Sequence, residues 1–269
     1  MEVADFLSKH AIFTYEEFAS FRTGHAQRRA KSLQKILACY AGRGRILHIR
    51  RGLYCTVPQG VHPANCPIDP LLLAAKLSND AILGYHTALE FHGKAHSVHQ
   101  RFLFLSAAKS TRPFTFRSYR FQAVLFPKKL VEKQKECFGV KHAERSGVDI
   151  RVTTLERTLV DVLDRPDLGG GWEEIWRSLE SVEFFDLAEV VEYALLLGNA
   201  TTIAKVGLFL DQHRETLMVG ESHLQTLRAS RPQRPHYMER DASKKGRFIS
   251  DWNLVVPIEI LERSWEETL

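Results

Sequence analysis

The chain has 269 residues, 44% of them hydrophobic, and a formal net charge of +5. That length fits two domains with room for a third, and no apolar run approaches the roughly 18 residues that a membrane span requires. The acidic start, Met-Glu-Val-Ala-Asp, lacks the basic end and apolar centre of a signal peptide, so a cytoplasmic protein with no membrane partner is expected.

Cys39, Cys55, Cys66 and Cys137 are scattered singly, without a Cys-x-x-Cys pair. This spacing favours reduced, mostly buried thiols over a zinc site or a disulfide framework. The charge is unevenly placed. Residues 1–62 hold 10 Lys and Arg against 4 Asp and Glu, residues 63–130 hold 9 against 3, and residues 131–269 hold 18 against 25. A basic front half suits a polyanionic partner.

Val3–His10 reads as a short first helix, with Phe6 and Leu7 among polar residues. Thr14-Tyr-Glu-Glu17 is a capping box, so a second helix starts near Tyr15, turns Phe18 inward and stops at Thr23-Gly24. A third helix follows within a few residues, which is helix-turn-helix spacing. In it Ala26, Ala30, Leu33, Ile36, Leu37 and Tyr40 share one face at about 100° per residue, while Gln27, Arg28, Lys31 and Lys35 fall opposite. Arg29 lies at the apolar edge, its stem along the core.

After Gly42-Arg-Gly44 come two short apolar runs, Ile46–Ile49 and Leu53–Val57, separated by the tight turn Arg50-Arg51-Gly52. A helix with one basic face followed by a hairpin with basic residues at its tip is how a winged helix-turn-helix meets double-stranded DNA. The expected DNA-binding residues are Gln27, Arg28, Lys31 and Lys35 on the helix and Arg45, Arg50 and Arg51 at the wing.

Beyond the proline-containing link Val57–Pro67, Asp69–Leu77 and Tyr85–His92 read as helices. Arg101–Leu105, Phe114–Phe126 and Gly147–Thr153 read as strands of a small antiparallel sheet. His86, His92, His96 and His99 invite a metal reading, but the His92–His96 pair is interrupted by Gly93 and no Glu completes a His-Glu-x-x-His motif, so no metal is expected. The back is mostly helical: a helix capped by Thr153-x-x-Glu156 and ending before Pro166, then Trp172–Leu179, Asp186–Leu197, Thr201–His213 and a helix capped by Ser222-x-x-Gln225. Phe248–Ile260 resumes strand character and is expected to return to the earlier sheet as an edge.

The run Gly44-Arg-Ile46-Leu-His48-Ile49-Arg50-Arg51-Gly52-Leu53-Tyr54 resembles the end of the winged-helix domain of AbiEi-type antitoxins of type IV toxin–antitoxin systems. Here His48 stands where a first Arg is common. Two later stretches are similar to that family in the same order: Asp69–Leu77 followed by Gly84-Tyr-His86-Thr-Ala88-Leu89-Glu-Phe-His92-Gly93, and Val152-Thr-Thr-Leu-Glu156-Arg157-Thr158-Leu159-Val160-Asp161. The resemblance implies an antitoxin that represses its own operon. It also implies that the C-terminal part counters a nucleotidyltransferase-like toxin without needing a stable complex with it. The alternative is a plain repressor whose second domain binds a ligand or assembles an oligomer.

The expected architecture is α+β: a winged helix-turn-helix over 1–62 and a C-terminal domain over 63–269. The second is mixed α/β at 63–150, mostly helical at 151–230 and strand-like at 247–261. No phosphate loop or Gly-x-Ser-x-Gly motif is present. The pair Glu259-x-Leu-Glu262 lacks the partners of a nuclease centre, and Glu156, Arg157 and Asp161 read as structural ion pairing. Neither catalysis nor a cofactor is expected.

Overall fold

The Thr14–Glu17 box closes in both directions. The Glu17 amide donates to Thr14 Oγ1 at 3.2 Å, and the Thr14 amide donates to Glu17 Oε2 at 2.7 Å, which satisfies two free amides at a helix start. This is seen in a computed structural model that describes residues 3–23, 30–107, 112–239, 245–263 and 265, without the side chains of Thr23, Ala30 and Lys31. The architecture is α+β.

The N-terminal unit comprises α1 (Val3–Lys9), β1 (Ile12–Thr14), α2 (Tyr15–Thr23), α3 (Ala30–Gly42), β2 (Ile46–Arg50) and β3 (Leu53–Thr56). The strand β1 has no counterpart in the sequence reading, because three residues are too few to show a period. It pairs antiparallel with β3, Ile12 opposite Cys55, so the sheet order is β1-β3-β2. Phe6 meets the rings of Phe13 and Phe18 edge-on at 5.1 and 5.4 Å. These rings bury with Leu7, Leu33, Leu37 and Ile46 in a small core.

The middle segment comprises α4 (Pro70–Ala75), β4 (Ile82–Leu83), α5 (His86–Phe91), β5 (Arg101–Leu105), β6 (Phe114–Phe116), β7 (Tyr119–Val124), α6 (Lys128–Glu132), β8 (Val140–Arg145) and β9 (Val148–Thr153). Asp69 starts α4 by accepting from the Leu71 and Leu72 amides at 3.0 and 3.2 Å. The sheet corrects the antiparallel expectation. Its six strands run β6-β7-β5-β4-β9-β8, with β5–β7 and β4–β9 parallel. The expected single run Phe114–Phe126 is a hairpin: β6 folds back on the outside of β7, which frees β7 to run alongside β5 in the same direction. Side chains alternate between two cores: Phe102 and Phe104 face one, Leu103 and Leu105 the other.

The back comprises α7 (Leu155–Asp164), α8 (Pro166–Gly169), α9 (Trp172–Glu180), α10 (Leu187–Leu197), α11 (Ala200–Gln212) and α12 (Glu221–Ala229), then β10 (His236–Tyr237), β11 (Gly246–Ile249), β12 (Leu254–Pro257) and α13 (Ile258–Glu262). The cap of α7 is Thr154, one residue later than expected, because the Thr153 hydroxyl is taken by buried Thr158 at 2.7 Å. Gly220, not Ser222, precedes α12.

The tail does not rejoin the six-stranded sheet. It builds a separate sheet, β10-β12-β11, against the helices. The reason is Trp252. Its buried indole lies so close to Gly207 on α11 that a Cβ there would stand 2.1 Å from Cζ3. Glycine permits that approach and fixes the tail to the bundle.

Across the link the two parts share a core. Ile12, Ile49, Leu53, Cys55 and Val57 pack with Ile68, Leu71, Leu72, Phe102, Phe104 and Ile150. In β3 the residues alternate, Leu53 and Cys55 toward this shared core and Tyr54 toward the aromatic one. The ion pair Glu17–Lys76 also crosses the seam. Cys55 and Cys66 meet there as free thiols, Sγ to Sγ 3.7 Å, and burial with the neighbouring Cys66 pushes the Cys55 thiol up to about 12.

Candidate nucleic-acid interface and a buried histidine–glutamate cluster

On α3, Leu33 and Leu37 are buried while Ser32, Gln34 and Lys35 are exposed, as the helical spacing predicts. Gln27 and Arg28 lie outside the described residues, and Lys31 is described only as part of the α3 backbone. Arg45 is exposed between α3 and β2. Its amide donates to the Tyr40 carbonyl, and its own carbonyl accepts from the Val57 amide, both at 2.9 Å. Arg51 is exposed at the wing tip, beside Gly52 at φ 78°.

The two wing arginines part company. Arg50 is half-buried; its guanidinium donates to the Leu77 carbonyl and lies 5.6 Å from the Phe114 ring centroid. It is therefore committed to the seam, not turned out with Arg51. A bulge between His48 and Arg50 re-aims the strand end, and the Leu77 carbonyl and the Phe114 ring hold the guanidinium there, while Arg51 lies in the turn beyond the strand.

A second polar cluster lies where the sheet meets the helices. Tyr85, buried at φ 56°, turns the chain into α5. His86, the first residue of α5, is 1% exposed. Its Nε2 lies 3.0 Å from Glu174 Oε1 on α9, and its Nδ1 lies 3.3 Å from Glu90 Oε1 one turn on. The His99 ring stacks on His86, centroids 3.8 Å apart and planes 7° apart. The Ser97 amide and Ser178 Oγ each donate to Glu174 Oε1 at 3.1 Å, and Ser97 Oγ donates to Oε2.

Burial pushes the Glu174 carboxyl up; the hydrogen bonds from Ser97 and His86 outweigh it and leave the group below the ordinary carboxylate range. Burial, and then the neighbouring His86, hold the His99 ring below the ordinary imidazole range. His86, His99 and Glu174 present ligand atoms all within 4.8 Å of one another. His92 instead pairs with the Thr153 carbonyl at 2.8 Å, and His96 is exposed. Glu174 lies 88 residues from His86 in the chain, so no local spacing signals its partnership with the histidines.

The other acidic candidates are engaged in ion pairs and hydrogen bonds. Asp161 takes Arg157 Nε at 3.3 Å and the Tyr193 hydroxyl at 2.7 Å, all buried. Arg157 Nη1 also donates to the carbonyls of Glu136 and Phe138 at 2.7 and 2.6 Å. Glu156 is elsewhere, accepting from the Asp186 amide at 3.1 Å. Glu262 pairs with Arg247 at 3.2 Å.

Helix, strand, two helices and a wing that completes a three-stranded sheet make a winged-helix-like unit, a fold in keeping with DNA-binding regulatory proteins in general. No protein-family model matches the chain, and no curated protein matches it. The whole fold is similar to that in the crystal structure of the RV2827C protein from Mycobacterium tuberculosis, with a TM-score of 0.62 and 16% identity over 98% of this chain and 93% of that one. Among the described residues, no helix is long and apolar enough to cross a membrane.

Proposed function

We propose that this chain is a DNA-binding transcriptional autorepressor and the antitoxin of a type IV toxin–antitoxin system, acting in the cytoplasm and without catalysis. The observation that carries the DNA-binding half is the winged-helix-like unit itself, which exposes Lys35 on α3 and Arg45 and Arg51 around the wing while Leu33 and Leu37 face inward. Exposed cations without base contacts supply the salt-dependent part of affinity, and the start of the recognition helix supplies base readout. Gln27, Arg28 and Lys31 keep that second role in the proposal. The antitoxin half rests on the three ordered motif resemblances to AbiEi-type proteins. Its partner is a nucleotidyltransferase-like toxin, countered without a lasting complex.

The test has two arms. Gel shifts with DNA from upstream of the gene, at several salt concentrations, should give a specific complex whose affinity falls linearly in log–log form with salt. Growth of cells expressing the toxin from the neighbouring gene should be restored by this chain. Binding without rescue would leave a plain repressor.

A further inference from the structure

His86 has a carboxylate at each ring nitrogen, 3.0 Å away at Nε2 and 3.3 Å at Nδ1, inside the protein. A neutral imidazole offers one N–H and one lone pair. The two carboxylates are met either by an imidazolium, which donates from both nitrogens, or by a neutral ring with a metal ion at one of them. Nδ1 makes no hydrogen bond among the described residues despite its closeness to Glu90. A carboxylate behind one nitrogen and a metal at the other is the usual setting of a ligating histidine.

We propose that His86, His99 and Glu174 form a site for a zinc-class divalent cation, with Glu90 orienting the His86 ring from the far side. The cation replaces the proton between His86 Nε2 and Glu174 Oε1. Two imidazoles and one carboxylate favour a late first-row ion over magnesium or calcium, which prefer all-oxygen shells. Three protein ligands leave a further position for water.

His99 supplies the movable ligand. Its ring makes no hydrogen bond among the described residues; only its backbone amide is engaged, with Glu90 Oε1 at 2.8 Å. Stacked flat on His86, it must turn about its side-chain bonds for its nitrogen to converge with the other two. Gly170 lets the two ligands sit together: a Cβ there would stand 2.9 Å from His99 Cε1 and 2.7 Å from Glu174 Cγ, so a larger residue would push them out of place. Bound metal would join α5, the loop before β5 and α9, the sheet layer to the helical layer. It would therefore raise the stability of the body of the protein by mass action.

The full-length protein, stripped with a chelator and desalted, is titrated with zinc chloride by calorimetry and, in parallel, with cobalt chloride by visible spectroscopy. One ion per chain is expected, with d–d bands for cobalt and a melting temperature that rises with zinc but not with magnesium. Glu90→Gln should weaken zinc binding about 10–100-fold, and His99→Ala at least as much. Circular dichroism checks that both variants fold; if either does not, the stoichiometry and cobalt bands of the unaltered protein decide alone. A folded wild type that binds no stoichiometric zinc overturns the proposal and leaves a proton on His86. Wild-type affinity in both folded variants overturns it by placing the ion elsewhere.

Discussion

The front and the body of this molecule are closed in different ways. The body surrounds its own core, with Trp176, Phe209, Tyr193 and Trp252 buried among the helices and the second sheet. The winged-helix-like front has a small aromatic core around Phe6, Phe13 and Phe18, and sends a second set of apolar residues into a core it shares with the six-stranded sheet. The sequence suggests two independent pieces joined by a proline-containing link. The structure shows that the link runs beside an apolar seam, so the stability of the winged-helix-like unit depends on what lies behind it.

The largest effect should come from cutting at the link. Residues 1–62 alone would uncover Ile12, Ile49, Leu53, Cys55 and Val57, and each large aliphatic side chain left exposed forfeits about 1.5–3 kcal/mol. Several such losses match the ~5–15 kcal/mol that holds a whole domain folded. The fragment should show no cooperative melting transition by circular dichroism. A sharp transition near that of the full chain would mean that the seam contributes little.

Core truncations sharpen the contrast. Phe18→Ala and Trp252→Ala should each cost about 3–5 kcal/mol, measured by urea unfolding. In conditions where both variants remain folded, Phe18→Ala should impair DNA binding, while Trp252→Ala should leave it intact, since Trp252 locks the tail to α11 in a core that none of the wing residues enters. Equal loss of binding in both would show the molecule to be one cooperative unit.

The neighbouring wing arginines give a smaller, cleaner comparison. Arg50→Ala removes a seam hydrogen bond and should lower stability by about 1–3 kcal/mol through the Leu77 carbonyl left unsatisfied, with little change in the salt slope of binding. Arg51→Ala should leave stability within about 0.5 kcal/mol and reduce that slope by about one. The reverse pattern in gel shifts and melts would return Arg50 to the DNA.

Glu17 provides a small effect and a pH signature. Burial raises its carboxyl, but Lys76 and Thr14 outweigh burial and leave it below the ordinary value of 4.5. A lowered folded value means that the stabilisation is complete above about pH 4.5 and is lost as pH falls through the folded value. Glu17→Gln keeps the acceptor of the capping box and removes the charge facing Lys76, so it should cost about 0.2–1 kcal/mol near neutrality, and the gap to wild type should close in acid. A gap that persists unchanged at pH 3 would assign the effect to packing.

What was legible in the sequence follows from how local its cause is. The Thr14–Glu17 box, the Leu33–Leu37 face, the paired wing strands and most helices of the back are written in spacings of two to four residues. The strand β1 is too short to show a period, and β8, Val-Lys-His-Ala-Glu-Arg, is an edge strand whose charges hide its strand character. The tail's separate sheet depends on Trp252 finding Gly207, 45 residues earlier in the chain, which no local pattern encodes. The candidate sites divide in the same way. Lys35, Arg45 and Arg51 are exposed as their positions imply. The inward turn of Arg50 depends on Leu77 and Phe114, and the partnership of His86 with Glu174 on a helix opposite.

The alternation along β3 has a consequence for evolution and for design. Leu53 and Cys55 belong to one core and Tyr54 to the other, so this single strand is shared property. The winged unit is consequently not an interchangeable cassette. Moved in front of a different effector, it would carry a bare apolar flank in search of cover, and a one-residue insertion in β3 would exchange the two sets of side chains. Changes to the exposed face of α3 and to the wing tip leave this seam untouched, whereas exchange of the whole unit breaks it.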